Sequence, residues 1–92
     1  MIKSFKHKGL RNFYKSGKTT GIQAEHEKRI RLQLSALDTA TKISDMDIVG
    51  FNLHPLKGQR KEIWSIKVSG NWRITFKFEN GNAYILNYED YH

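Results

Sequence analysis

The chain closes on Asn87-Tyr88-Glu89-Asp90-Tyr91-His92, and a second histidine stands upstream in Leu53-His54-Pro55-Leu56-Lys57. Asp90, Tyr91 and His92 bring a carboxylate, a phenol and an imidazole to the end of one strand-like stretch, with the terminal carboxylate expected beside them. An imidazole, with an unperturbed pKa of about 6.5, takes or gives a proton near neutrality, and a carboxylate can orient or activate it. Arginine holds phosphate through two parallel hydrogen bonds, and lysine supplies a point charge. The set His54, Lys57, Arg73, Asp90, Tyr91 and His92 therefore matches the needs of RNA cleavage by the RNA's own 2'-hydroxyl. That reaction takes a base for the attacking oxygen, cations for the charge growing on phosphate, and an acid for the leaving 5'-oxygen. It demands no metal and no other cofactor.

Each residue also has a plainer reading. A terminal strand can fray in solvent, His54 can be a packed edge residue, Lys57 and Arg73 solvated cations, and Tyr91 a lid on the core. Competing chemistries have less support. No cluster of three carboxylates suggests a two-metal nuclease, and the spacing of His54, Asp90 and His92 is not diagnostic of zinc. No nucleotide-binding loop or serine elbow is present. The absence of cysteine excludes disulfides, thiolate nucleophiles and Cys-ligated zinc.

Ninety-two residues, 38% hydrophobic and 12% aromatic, suit one globular domain over 1–92. A net charge of +7 favours a polyanionic partner, nucleic acid first and an acidic protein second. No apolar run is long enough to span a bilayer and the start lacks a signal peptide's apolar core, so no membrane partner and a cytoplasmic location are expected.

The elements that must position these residues follow from periodicity. Ile2 to Phe5 reads as a short strand. His7 to Ser16 reads as a helix with Gly17 at its C-cap, and Lys6, Lys8, Arg11, Lys15 and Lys18 in or around it form a basic face, solvated on the plainest reading and open to an antitoxin or an RNA. Thr20 begins a capping-box pattern that predicts a helix from about Ile22 to Leu37, with His26 on its surface. Residues 38–51 read as an ordered loop anchored by Ile43, Met46, Ile48, Val49 and Phe51, and 52–56 as a short edge strand. Ile63 to Val68, Trp72 to Phe78 and Ala83 to Tyr88 form a meander with turns at Ser69-Gly70-Asn71 and Asn80-Gly81. Strict alternation pairs Val68 with Trp72, Ile66 with Ile74, Trp64 with Phe76, Phe76 with Ile85 and Arg73 with Tyr88. One face then packs on the helices and the other presents Arg73 beside the tail.

In Leu53-His54-Pro55-Leu56-Lys57-Gly58, Trp64-Ser65-Ile66, Asn71-Trp72-Arg73-Ile74-Thr75-Phe76, and Ala83 through His92, with the opening Met1 to Leu10, the chain resembles the HigB toxins of the RelE/ParE superfamily of bacterial toxin–antitoxin systems. The resemblance covers essentially the full chain, although residues 41–51 carry no matching motif. It implies an α+β, compact microbial-RNase (RelE-like) fold, with two N-terminal helices packed on one face of a small mixed, mostly antiparallel sheet. It implies a ribosome-dependent endoribonuclease that enters the A site of the 70S ribosome and cuts mRNA, leaving a 2',3'-cyclic phosphate. The family's catalytic positions match at His54, Asp90, Tyr91 and His92, and its phosphate-contacting positions at Lys57 and Arg73. Either of His54 and His92 can be the base with the other as acid, and Asp90 can orient one of them or be the base itself; the preferred assignment has Asp90 or His54 as base and His92 as acid. The implied partner is a HigA-type helix-turn-helix antitoxin, with operator DNA bound only through the complex. The alternatives are a ParE-like inhibitor of DNA gyrase that cuts no RNA, and a non-catalytic RNA- or ribosome-binding module.

Overall fold

The computed structural model describes residues 1–60 and 62–90. Helices come first: α1 is Lys8–Ser16 and α2 is Glu27–Thr39. The strands β1 His54–Pro55, β2 Ile63–Ser69, β3 Trp72–Glu79 and β4 Asn82–Asp90 follow, in sheet order β1-β2-β3-β4 with each pair antiparallel. The expected first strand is reduced to two parallel bridges, Ile2 to Ala83 and Phe5 to Leu86, on the free side of β4. They remain separate because the β4 backbone bends at Ile85, between them, where φ is 49°. The result is the α+β, mostly antiparallel arrangement expected.

His7 starts α1 by accepting the Leu10 N–H on Nδ1 at 3.0 Å. Gly17, at φ 77°, ends it and donates its own N–H to Phe13. Leu10 and Phe13 form the buried stripe. The second helix begins later than its capping-box pattern predicts. Gly21 approaches Gly9 so closely that a Cβ on it would lie 2.4 Å from the Gly9 Cα, and Gln23 gives its N–H to the Tyr88 hydroxyl at 3.2 Å. These long-range anchors override the local signal. A 3-10 turn, Ala24–His26, then leads into α2, which buries Ile30, Gln33, Leu34 and Leu37.

His26 is a correction, for it is buried rather than on the surface, with Nδ1 2.6 Å from the Tyr88 hydroxyl. Trp72 stacks on Tyr88 at 4.5 Å between ring centroids, and the His7 ring meets Tyr88 edge-on at 5.4 Å. The phenol lets α2 enter the sheet's aromatic layer without stranding polar groups.

The connection from α2 to the sheet holds a 3-10 turn, Ile43–Met46, tied by Asp45 to the N–H groups of Thr41 and Lys42. Met46 and Phe51 are buried, as expected. Ile48 and Val49 are not, and Val49 is 99% exposed. A turn closed by Phe51 N–H on Ile48 O, with Gly50 at φ 92°, pushes both residues outward.

Candidate active site

Directly opposed residues of neighbouring strands share a face. His54 opposes Ser65, Ser65 opposes Thr75, and Thr75 opposes Asn87, so these four form one row across the sheet's outer face. Lys67, Arg73 and Glu89 form a second row beside it. With strands spaced by about 4.8 Å, the backbones of His54 and Asn87 stand roughly 14 Å apart. Ser65 and Thr75, both buried, floor the interval.

This register departs from strict alternation twice. Trp64 opposite Phe76 and Ile66 opposite Ile74 are observed as expected, but the ladder slips after Lys67, and Ser69 rather than Val68 faces Trp72. In β4 the pairing near the turn is regular, then slips between Thr75 and Lys77; Phe76 lies inside the slip instead of opposite Ile85. Arg73 consequently faces Glu89, not Tyr88. The cause is a bulge at Ile85, whose N–H donates to Ser4 Oγ at 2.8 Å. One extra residue turns over every later side chain. Tyr88 enters the core, Glu89 joins Arg73, and Asp90, opposite Trp72, alternates back to the Tyr88 side.

His54 is half-buried, with Nδ1 2.9 Å from the Asn52 carbonyl oxygen. A carbonyl only accepts, so Nδ1 carries the hydrogen and the neutral ring keeps its lone pair on Nε2. The preceding loop is clamped from α2. Phe51 O accepts from Lys67 N at 2.7 Å, and Lys67 O accepts from Gln33 Nε2 at 2.7 Å and Arg29 at 3.2 Å. Arg29 also donates to Gly50 O and lies over the Phe51 ring.

Two residues that the sequence reading passed over, Arg60 and Glu89, meet on this face. Arg60 grips Glu89 with both guanidinium arms, at 3.1 and 2.7 Å, while Thr75 and Asn87 donate to the same carboxylate at 2.9 and 3.1 Å. Burial pushes the Glu89 carboxyl up, but the bonds from Arg60, Thr75 and Asn87 and the guanidinium charge outweigh it and hold the group below its ordinary value. In the sequence, Arg60 is one cation of the basic loop Lys57-Gly58-Gln59-Arg60-Lys61 and Glu89 one acid of the titratable tail, and their meeting depends on the bulge.

The other site residues are placed as follows. Lys57 is exposed just before the 3-10 turn Gly58–Arg60. Arg73 braces the β2–β3 turn by donating to Gly70 O at 2.7 Å and Trp72 O at 3.1 Å. Asp90 is exposed at the last described position of β4. Tyr91 and His92 lie outside the described residues, and with them part of the His54, Asp90 and His92 set. A cleft on the outer face is lined by Lys6, Arg60, Ile63, Thr75, Ile85 and Asn87. The face thus combines a half-buried imidazole held through Nδ1, a polar floor and nearby cations, a combination suited to a phosphodiester backbone.

A family described as the RelE-like toxin of type II toxin-antitoxin system HigB matches residues 3–92. Endoribonuclease HigB of Proteus vulgaris is 58% identical over 92 residues, which is 100% of both chains. The crystal structure of YafQ from E. coli strain BL21(DE3) superposes with a TM-score of 0.58 at 14% identity, covering 98% of this chain and 91% of that one, a likeness of fold.

Proposed function

The chain belongs to the HigB-like family of RelE-like toxins from type II toxin–antitoxin systems, and from that premise we propose that it is a metal-independent endoribonuclease that cuts mRNA in the ribosomal A site. The observation that carries the chemistry is the His54 tautomer. With Nδ1–H committed to Asn52 O, Nε2 is the atom that removes the 2'-hydroxyl proton. The freed oxygen attacks the adjacent phosphorus, the 5'-oxygen leaves, and a 2',3'-cyclic phosphate remains. Arg73 and Lys57 offset the charge that grows on the phosphate. His92 gives the leaving oxygen its proton and Tyr91 stacks on a base or hydrogen-bonds the phosphate, while Asp90, on the Tyr88 side at the strand's end, orients His92 rather than meeting the phosphate from the His54 row.

A toxin of this type has an antitoxin partner and an RNA target. The finer reading is a HigA-type helix-turn-helix antitoxin, which carries the toxin to operator DNA, and a 70S ribosome that presents the message in the cytoplasm.

The test uses His54→Asn, because the shorter amide can still donate to Asn52 O while lacking an atom at the Nε2 position. On ribosomes programmed with a defined mRNA, mapped 5' ends should show a rate lower by about 10²–10⁴-fold, with the circular dichroism unchanged. His92→Gln should lose activity comparably. Cleavage by the His54→Asn chain at the wild-type rate would remove His54 from the mechanism. Equally fast cutting of naked RNA would remove the ribosome requirement.

A further inference from the structure

Most of the positive charge lies away from the row that carries the proposed chemistry. Lys3, Lys6, Lys8, Arg11, Lys15 and Lys18 fall within the first 24 residues, where there is no Asp or Glu, so six of the seven net charges belong to that segment. The remaining residues hold ten cations against nine acids.

The fold gathers this segment into one surface. Residues 2–5 run beside β4 and α1 packs behind them. Between them lies a cleft of about 440 Å³ lined by Lys3, Phe5, Arg11, Tyr14 and Lys15, among others, with no carboxylate in its wall. The Phe5 and Tyr14 rings stand 5.3 Å apart beside these cations, and Tyr14 is 37% exposed. Among the described residues the ion pairs join Arg31 to Glu27, Arg60 to Glu89, and Lys77 to Glu62 and Glu79, so Lys3, Arg11 and Lys15 make none. Lys6, in the same segment, lines the cleft on the sheet's outer face with Arg60, Thr75 and Asn87. The two clefts therefore flank residues 3–6.

We propose that the N-terminal segment and α1 form a second RNA-binding track, one that takes no part in cleavage. It holds the phosphodiester backbone of RNA that leaves the sheet face past Lys6 and reaches Lys3, Arg11 and Lys15, with Tyr14 against a base. Cations without carboxylate partners release counterions from a phosphate backbone on contact, and an aromatic face among them stacks on any base. An acidic protein would use the same charges but has no need of the ring or of continuity with the sheet face. The proposal rests on the RNA-cleaving reading above for its substrate.

A uniformly 2'-O-methylated oligoribonucleotide separates the two, because it lacks the attacking hydroxyl and can be bound but not cut. With the full chain, K3Q/K15Q is compared with K28Q/K42Q, which loses the same charge from exposed positions on α2 and the following loop, and R11Q is then added to the first pair. Binding of the labelled oligonucleotide is measured across a salt series. The K3Q/R11Q/K15Q chain should lose roughly 0.7 from the log–log salt slope per charge removed, about 2 in all, while K28Q/K42Q follows wild type. An unchanged slope in the triple variant, an equal loss in K28Q/K42Q, or displacement by polyglutamate as effective as by RNA overturns the track. A wild-type chain that binds the methylated RNA through these residues yet leaves programmed ribosomes uncut would overturn the cleavage reading alone. A triple variant with wild-type binding and active cutting overturns the track alone.

Discussion

Glu89→Gln tests whether the carboxylate that gathers Arg60, Thr75 and Asn87 holds the basic loop against β4. Oε2 accepts from Arg60 at 2.7 Å, Thr75 at 2.9 Å and Asn87 at 3.1 Å, and Oε1 accepts the other Arg60 arm at 3.1 Å. A glutamine has one oxygen for these two positions. If the oxygen takes the Oε2 place, the amide nitrogen faces an Arg60 donor; if it takes the other, the nitrogen faces three donors. A buried charge-assisted hydrogen bond contributes about 1.5–3 kcal/mol. The side chains of Arg60 and Glu89 are 42% and 21% exposed, so solvent screening reduces the expected loss to about 1–2 kcal/mol.

The pH dependence gives a second reading of the same contact. Burial raises the Glu89 carboxyl, but the hydrogen bonds from Arg60 and Thr75 win and the folded value lies below the ordinary one. The unfolded chain therefore takes up the proton first as pH falls. The contribution is complete above the unfolded value, about 4.3, and is lost as pH drops through the folded value. Urea melts followed by tryptophan fluorescence should show wild type more stable than Glu89→Gln at neutral pH, with the gap closing in the acid range. A gap under about 0.5 kcal/mol at neutral pH, or one that stays constant on acidification, would mean that the Glu89 carboxylate does not hold Arg60 against β4.

His7 should give an acid response at higher pH, because burial holds its imidazole below the ordinary value and its Nδ1 must stay unprotonated to cap Leu10. Its stabilisation is present above about pH 6.5 and is lost as pH falls through the lower folded value. His7→Ala should destabilise by about 1 kcal/mol; thermal melts of His7→Asp, which keeps an acceptor at the cap, should lose the wild-type decline over that range, and parallel declines would contradict the cap. Ile85→Asn relieves a β-branched residue at φ 49° that is 44% exposed, so denaturant midpoints should be unchanged or raised by up to about 1 kcal/mol. A loss above about 2 kcal/mol would mean that Ile85 packs as a core residue.

Much of the fold was legible because its signals are local. The cap residue Gly17, the apolar stripe of Ile30, Leu34 and Leu37, and the Asn80-Gly81 turn each appear where their short-range chemistry puts them. The outer-face positions of Ser65, Lys67, Arg73 and Thr75 follow from alternation in β2 and β3, so Arg73 stands on the expected face although its partner is Glu89 and not Tyr88. Most of the rest depended on distant partners. The start of α2 is set by Gly9 and Tyr88, whereas the exposure of Val49 comes from a local turn, Ile48 to Phe51, that the apolar run conceals. The Arg60–Glu89 pair required a register that alternation alone gets wrong.

That register leaves a trace in the polar residues that sit where an apolar pattern would not put them. A slip in a ladder strands backbone groups, and a stranded group inside a fold must find a side chain. At the β2 slip the Lys67 carbonyl is met by Gln33, fully buried on α2, and by Arg29. At the β4 slip the Ile85 N–H is met by Ser4. Where the capping box gives way, the Gln23 N–H is met by Tyr88, whose hydroxyl also meets the buried His26. His26 is expected on the surface and neither Gln33 nor Ser4 belongs to an apolar stripe, yet each answers an irregularity in the main chain. Two of those irregularities set the site: the clamp at Lys67 holds the loop that orients His54, and the bulge at Ile85 delivers Glu89 to Arg60. Ser4→Ala should therefore disturb the sheet face through the β4 register even though Ser4 lies on the far side of that strand, seen as faster amide hydrogen exchange along Ile85 to Glu89; exchange at the wild-type rate would separate Ser4 from the register.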